Sequence, residues 1–149
     1  MNSVLEKVVE CIEQISQLAS LNEDGKEILS GFRSRAESMP SIFFIHGFAY
    51  TMVLLAARSS RELMELGFKN SCKEIVDEIK KIREKYRKDE LSYGLYGATI
   101  LLLLHEAGNI KTKEFSSVLK EAIKDPTIDL KAMQIFEWIK RLAEAYIAK

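Results

Sequence analysis

Apolar residues in the first part of the chain recur every three or four positions, which is the spacing of amphipathic helices. Residues 3–19 show this pattern with glutamates on the opposite face, and they predict a first helix. The same spacing continues to about Ser38 and predicts a second helix. Pro40 is expected to end it, because a proline pushes the preceding residue out of the helical range of backbone angles. Residues 72–87 and 128–147 repeat the pattern and predict two further helices.

Two stretches differ from these, because they are apolar on nearly all sides. They cover about 42–57 and 91–107, and we expect both to be buried helices at the centre of the fold. Each is shorter than the roughly 20 residues that a membrane-spanning helix needs. The sequence therefore predicts no contact with a membrane.

Capping residues mark where the predicted helices begin and end. Ser60 and Ser71 are suited to begin helices, and Gly108 is suited to end one. No stretch alternates between apolar and polar residues as a strand would. The predicted fold is therefore all-α, a compact bundle of six to eight helices in a single domain over 1–149, with the two apolar helices at its centre.

Composition excludes several classes of protein. Among 149 residues, 47% are hydrophobic and 30% are charged, which is typical of a globular domain. The 22 basic and 22 acidic residues give a formal net charge of zero, so the molecule as a whole does not attract nucleic acid electrostatically. The first residues lack the basic and then apolar pattern of a signal peptide. We therefore expect a soluble, cytoplasmic protein.

The two cysteines give no sign of a disulfide framework. Cys11 and Cys72 lie far apart along the chain, and neither has a second cysteine or a histidine at ligand spacing. We expect two buried, reduced thiols and no structural zinc.

No motif in the sequence supplies catalytic chemistry. The two histidines are His46 and His105, and no second histidine stands at the spacing of a zinc protease. Gly94-Leu95-Tyr96-Gly97 has the letters of a nucleic-acid-binding loop, but its apolar centre favours close helix packing. We expect no metal, no cofactor and no enzymatic activity. One alternative stays open, a helical enzyme or ligand-binding bundle built around His46, Tyr50 and His105.

Basic residues gather in three places. If they contact RNA, they would do so through its phosphates; the alternative is a solvated charged surface. A helix of about 16 residues is roughly 24 Å long, so basic groups at its two ends should form separate spots unless the chain turns back. The RNA-contact candidates are Arg33 and Arg35, then Arg58 and Arg61, then Lys80, Lys81, Arg83 and Lys85.

Two segments resemble a known family. The first segment contains four short motifs, which are Arg33-Ser34-Arg35-Ala36, Met39-Pro40-Ser41-Ile42, His46-Gly47-Phe48-Ala49 and Leu54-Leu55-Ala56. The second segment is residues 136–145, which contain Trp138 and a Lys-Arg pair. They are similar to the basic helix end, Pro-Ser step, glycine turn and closing helix of one family. That family is the small all-helical subunit of the type III-B CRISPR effector, the Cmr complex.

The resemblance implies a non-catalytic role in antiviral defence. Such subunits stack in the minor filament of a ribonucleoprotein that holds guide RNA paired to target RNA. The implied partners are the large Cas10-type subunit, the backbone subunits, further copies of the chain itself, and guide and target RNA through the complex. A small subunit of a related type III or type I effector is an alternative with a similar role.

Overall fold

The computed structural model describes residues 2–69 and 71–148. Within them the chain forms eight α-helices and three short 3-10 segments, with no strand, which confirms the all-α prediction. The 3-10 segments are Gln17–Ser20, Glu65–Phe68 and Arg83–Lys85. The α-helices are α1 (Asn2–Ser16), α2 (Glu23–His46), α3 (Phe48–Arg58), α4 (Arg61–Met64), α5 (Cys72–Ile82), α6 (Lys88–Glu106), α7 (Phe115–Lys124) and α8 (Thr127–Tyr146).

The second helix does not end at Pro40. It continues to His46, because Met39 and Phe43 on either side of the proline are buried and their packing offsets the lost hydrogen bond. The chain breaks instead at Gly47, whose φ of 88° lies in the left-handed region that favours glycine. The single helix expected over 42–57 is therefore wrong, and its residues belong to two helices.

The expectation that 42–57 is buried on all sides is also wrong. Phe48 is fully buried, whereas Phe44 is 76% exposed and Ile45 is 74% exposed. Tyr50 and Val53, on the outer face of α3, are also exposed. When a helix is apolar on every face, its sequence does not determine which face packs against the core. Here the break at Gly47 sets the orientation of the end of α2 and of α3 separately.

The other apolar stretch is the centre of the bundle, as predicted. Helix α6 packs against α1, α2, α3, α4, α5 and α8. Its residues from Leu91 to Leu104 are buried, except that Tyr93 is only partly buried. Tyr93 therefore lies at the one position where this helix reaches the surface within that run.

The cysteines are joined, contrary to the expectation of two reduced thiols. Cys11 of α1 and Cys72 at the start of α5 form a disulfide, with their Cα atoms 5.2 Å apart. Helix α1 packs along α5, which brings together two residues separated by 61 positions. Spacing along the chain carried no information about this contact.

The hydroxyl of Tyr96 is buried without a hydrogen-bond partner among the described residues. The ring contacts Phe32 and Phe136 with centroids 5.7 Å and 6.1 Å away, and burial raises the pKa of the phenol well above its usual value. Tyr96→Phe keeps the ring and removes the unpaired group. We expect the free energy of unfolding to rise by about 1 kcal/mol.

Urea denaturation measures this change. The matched control is Tyr50→Phe, which removes the hydroxyl of a tyrosine that is half exposed and should change the free energy of unfolding by less than about 0.5 kcal/mol. If Tyr96→Phe clearly lowers the free energy of unfolding, the hydroxyl of Tyr96 has a hydrogen-bond partner and our interpretation is wrong.

Candidate nucleic-acid interface

Arg33, the first candidate RNA contact, is engaged inside the protein. Its Nη1 donates hydrogen bonds to the carbonyl oxygens of Glu144 at 3.3 Å and Ile147 at 2.6 Å, which lie at the end of α8. Its Nε lies 3.6 Å from a carboxylate oxygen of Glu37, and its side chain is 12% exposed. Arg33 therefore caps the negative end of the α8 dipole, and the expectation that its charge is an exposed one is wrong.

Arg35 and Arg58 meet at one tyrosine. The Cζ atom of Arg35 lies 4.2 Å from the centroid of the Tyr93 ring, and that of Arg58 lies 5.8 Å from it. The Nη1 of Arg58 also donates to the Tyr93 hydroxyl at 3.4 Å. These distances place both guanidiniums within the range of cation–π attraction. We call Arg35, Arg58 and Tyr93 the tyrosine–arginine cluster.

The cluster replaces the two separate spots that were expected. Arg35 and Arg58 lie at nearly equal distances along the chain from Gly47, and α3 returns alongside α2 after that residue. The chain therefore does turn back, and Arg35 and Arg58 lie side by side on the neighbouring helices α2 and α3. Arg61 follows at the start of α4, where its Nε lies 3.9 Å from a carboxylate oxygen of Glu65.

A cavity of about 360 Å³ adjoins the cluster, between α2 and the start of α6. Arg35 and Lys88 supply positive charge to its wall, and Glu27 and Asp89 supply negative charge. Ser92, at the buried side of α6, donates its hydroxyl to the Asp89 carbonyl oxygen at 2.8 Å. The wall is therefore polar and of mixed sign, and Arg35 is the member of the cluster that lines it.

The basic run leads from α5 toward the same end of α6. The Nη1 of Arg83 donates to the Lys80 carbonyl oxygen at 2.9 Å, and its Nε lies 3.9 Å from Asp24. Within 2–69 and 71–148, no ion pair involves Lys80, Lys81 or Lys85. Three of the four candidates in the run therefore keep their charges available, whereas Arg83 is held by α2.

Sequence patterns did not identify Tyr93. The signal that could have found it is the pair Ser92-Tyr93 near the start of an otherwise apolar helix. A tyrosine at a helix position that reaches the surface offers a ring face to cations from neighbouring helices. Which cations it meets depends on the turn at Gly47, and the sequence pattern did not reveal that turn.

The histidines have different surroundings. The rings of His46 and Tyr50 lie 4.4 Å apart at the corner between α2 and α3. The ring of His105 instead lies perpendicular to that of Phe68, with centroids 5.4 Å apart, and burial lowers the pKa of His105. Across the described parts of the chain, no group of three or more His, Cys, Asp or Glu side chains is placed to hold a metal ion.

An apolar surface lies at the corner between α2 and α3. A cavity of about 400 Å³ is lined there by residues of α2, the glycine turn and α8. Phe44, Ile45 and Leu130 are strongly exposed and line it together with Met133. Asp129 of α8 accepts a hydrogen bond from the Phe48 backbone N–H at 3.0 Å, which fixes α8 to the corner. We call this surface the α2–α8 notch.

Comparison with protein families, curated proteins and solved structures finds no match to this chain. Among the helices in 2–69 and 71–148, none has both the length and the apolar character required to cross a membrane.

Proposed function

We propose that this chain is a non-catalytic small subunit of a Cmr-type RNA-guided effector in the cytoplasm, where it contacts the phosphate backbone of RNA. The observation that carries the proposal is the convergence of Arg35 and Arg58 on Tyr93. Together with the resemblance of 33–57 and 136–145 to the family, it supports a role in which the chain holds RNA without reading its bases.

The chemistry of the cluster suits phosphate. A guanidinium offers several N–H donors in a planar fork that matches phosphate oxygens. The Tyr93 ring attracts both guanidiniums, and the Tyr93 hydroxyl takes up one N–H of Arg58, so each arginine keeps further N–H donors for a phosphate. Contacts of this kind position a duplex and carry no sequence information. One cluster binds weakly by itself, but copies repeated along an assembly act together.

The α2–α8 notch supports the partner part of the proposal. Contiguous exposed apolar side chains on an otherwise charged domain are typical of surfaces that contact other proteins. Phe44 and Ile45 project there from the end of α2, beside Leu130 of α8. In the proposed assembly the notch contacts a neighbouring subunit, with the large Cas10-type subunit, the backbone subunits and further copies of the chain as the candidates.

Charge reversal in the assembled complex tests the RNA contact. The subunit carrying Arg35→Glu and Arg58→Glu is reconstituted with guide RNA and the other subunits, and its presence in the complex is verified by mass. Target RNA binding is then measured across salt concentrations. We expect weaker binding for every target sequence, and a plot of log affinity against log salt that is shallower by about two units for each copy of the subunit that contacts the RNA.

The control variant carries the same change in net charge elsewhere. Lys113→Glu with Lys120→Glu alters two exposed residues at α7 and just before it, and should leave both the affinity and its salt dependence unchanged. If Arg35→Glu with Arg58→Glu behaves like this control, the cluster faces protein or solvent and the proposed RNA contact is wrong.

A further inference from the structure

A cleft of about 240 Å³ lies beside the disulfide, between α1, the start of α5 and the end of α6. Both cysteines line it, together with Gln14 of α1 and Leu102 of α6. Cys11 is 3% exposed and Cys72 is 6% exposed. The sulfur pair is thus shielded from bulk water but borders an opening. Because sites for drug-sized ligands measure about 300–1,000 Å³, the cleft suits only a smaller molecule.

The two sulfurs differ in their electrostatic surroundings. The charged side chains that line the cleft are Lys7, Glu10, Lys73 and Glu106, so their formal charges cancel. Cys72 is the first residue of α5, where the positive end of the helix dipole stabilises a thiolate. Cys11 lies inside α1 and lacks this stabilisation. Cys72 is therefore the better leaving group when the disulfide is attacked.

We propose that the Cys11–Cys72 disulfide is an exchangeable clamp that a small dithiol opens through this cleft. A thiolate of the dithiol bonds to Cys11 Sγ, the S–S bond breaks, and Cys72 leaves as a thiolate that takes up a proton. The second thiol of the reagent then attacks the mixed disulfide and releases Cys11. Two electrons pass to the protein, which gains two thiols, and the reagent becomes a cyclic disulfide.

Opening the clamp loosens α1 and leaves the remaining helices packed. Reduction removes the covalent tie between α1 and α5, while Val8, Ile12 and Ile15 keep α1 attached through fully buried contacts. Helix α1 then opens more often by local unfolding. Helix α6 contacts six other helices and depends much less on this tie.

Reduction without denaturant tests the proposal. The oxidised full chain is incubated with dithiothreitol, quenched by alkylation and weighed, and hydrogen exchange is measured before and after reduction. We expect a reduction rate proportional to the dithiothreitol concentration. We also expect α1 amides to exchange at least about tenfold faster after reduction, with less than about a threefold change in α6. Cys11→Ser with Cys72→Ser should show the fast α1 exchange in both conditions.

Two further variants test the route through the cleft. Gln14→Trp fills the opening and should slow reduction at least about fivefold, whereas Glu13→Trp changes an exposed neighbour and should not. The proposal is overturned if the chain still carries free thiols after oxidation and before dithiothreitol is added, if the reduction rate is independent of dithiothreitol, or if α1 exchange is unchanged after reduction. If Gln14→Trp does not fold, Gln14→Phe replaces it in the same measurement, and an unchanged reduction rate in the folded variant overturns the route through the cleft.

Discussion

Phe48→Ala is expected to lower the free energy of unfolding by about 3–5 kcal/mol. The Phe48 side chain is fully buried where α3 begins, so its loss removes hydrophobic burial and leaves a cavity. Phe44→Ala, four residues earlier, removes a side chain that is mostly exposed, and should change the free energy of unfolding by less than about 0.5 kcal/mol. The sequence alone gave both residues the same expectation.

Equilibrium unfolding in urea measures the two values, with the slope of the transition as a check that both variants unfold in the same two-state manner. The pair is matched in chemistry, since each variant deletes one phenyl ring from the same apolar segment. Equal losses in the two variants would contradict the break at Gly47, because only that break gives the two rings opposite exposure.

Arg33→Met is expected to lower the free energy of unfolding by about 2–3 kcal/mol, in the range of hydrogen bonds from charged groups. Methionine keeps most of the apolar stem but cannot donate to the Glu144 and Ile147 carbonyl oxygens. The end of α8 would lose its cap. Arg35→Met, two residues further on, loses only the attraction to Tyr93 and should cost at most about 1 kcal/mol.

The same urea measurement distinguishes these arginines, and hydrogen exchange at the end of α8 adds a local readout. Faster exchange there is expected in Arg33→Met and not in Arg35→Met. An Arg33→Met variant as stable as the original protein would show that the cap contributes nothing to stability. Arg33 would then again be a candidate for RNA contact. Because the cap depends on Arg33, a charge reversal there is expected to disturb folding and to confuse a binding experiment. Arg58 is therefore the better partner for Arg35 in tests of the proposed RNA contact.

Local patterns in the sequence predicted most of the helices. Ser60 and Ser71 cap α4 and α5 by accepting hydrogen bonds from Leu63 and Glu74, and Gly108 has the positive φ expected after α6. These features depend on a few neighbouring residues and are visible in one sequence. One sequence does not show whether the helix breaks at Pro40 or at Gly47, because the buried contacts of Met39 and Phe43 decide where it breaks.

The candidate site was predicted in part. Arg35 and Arg58 were identified as residues, but their convergence was not, because it follows from a turn that was placed wrongly. Tyr93 was absent from the prediction, since its role depends on which helices pass its ring. The disulfide between Cys11 and Cys72 was missed for a related reason, since only the packing of α1 on α5 brings the two cysteines together.

Helix α3 connects the two surfaces on which the proposed function depends. It begins at the α2–α8 notch, where Asp129 holds its first amide, and it ends at Arg58 of the tyrosine–arginine cluster. Its 11 residues span about 16 Å at the helical rise of about 1.5 Å per residue. No loop intervenes between Phe48 and Arg58, so the length of α3 sets the spacing between the proposed subunit contact and the proposed phosphate contact. In the proposed filament of copies, the period of the protein contacts would therefore be mechanically coupled to the period of the RNA contacts.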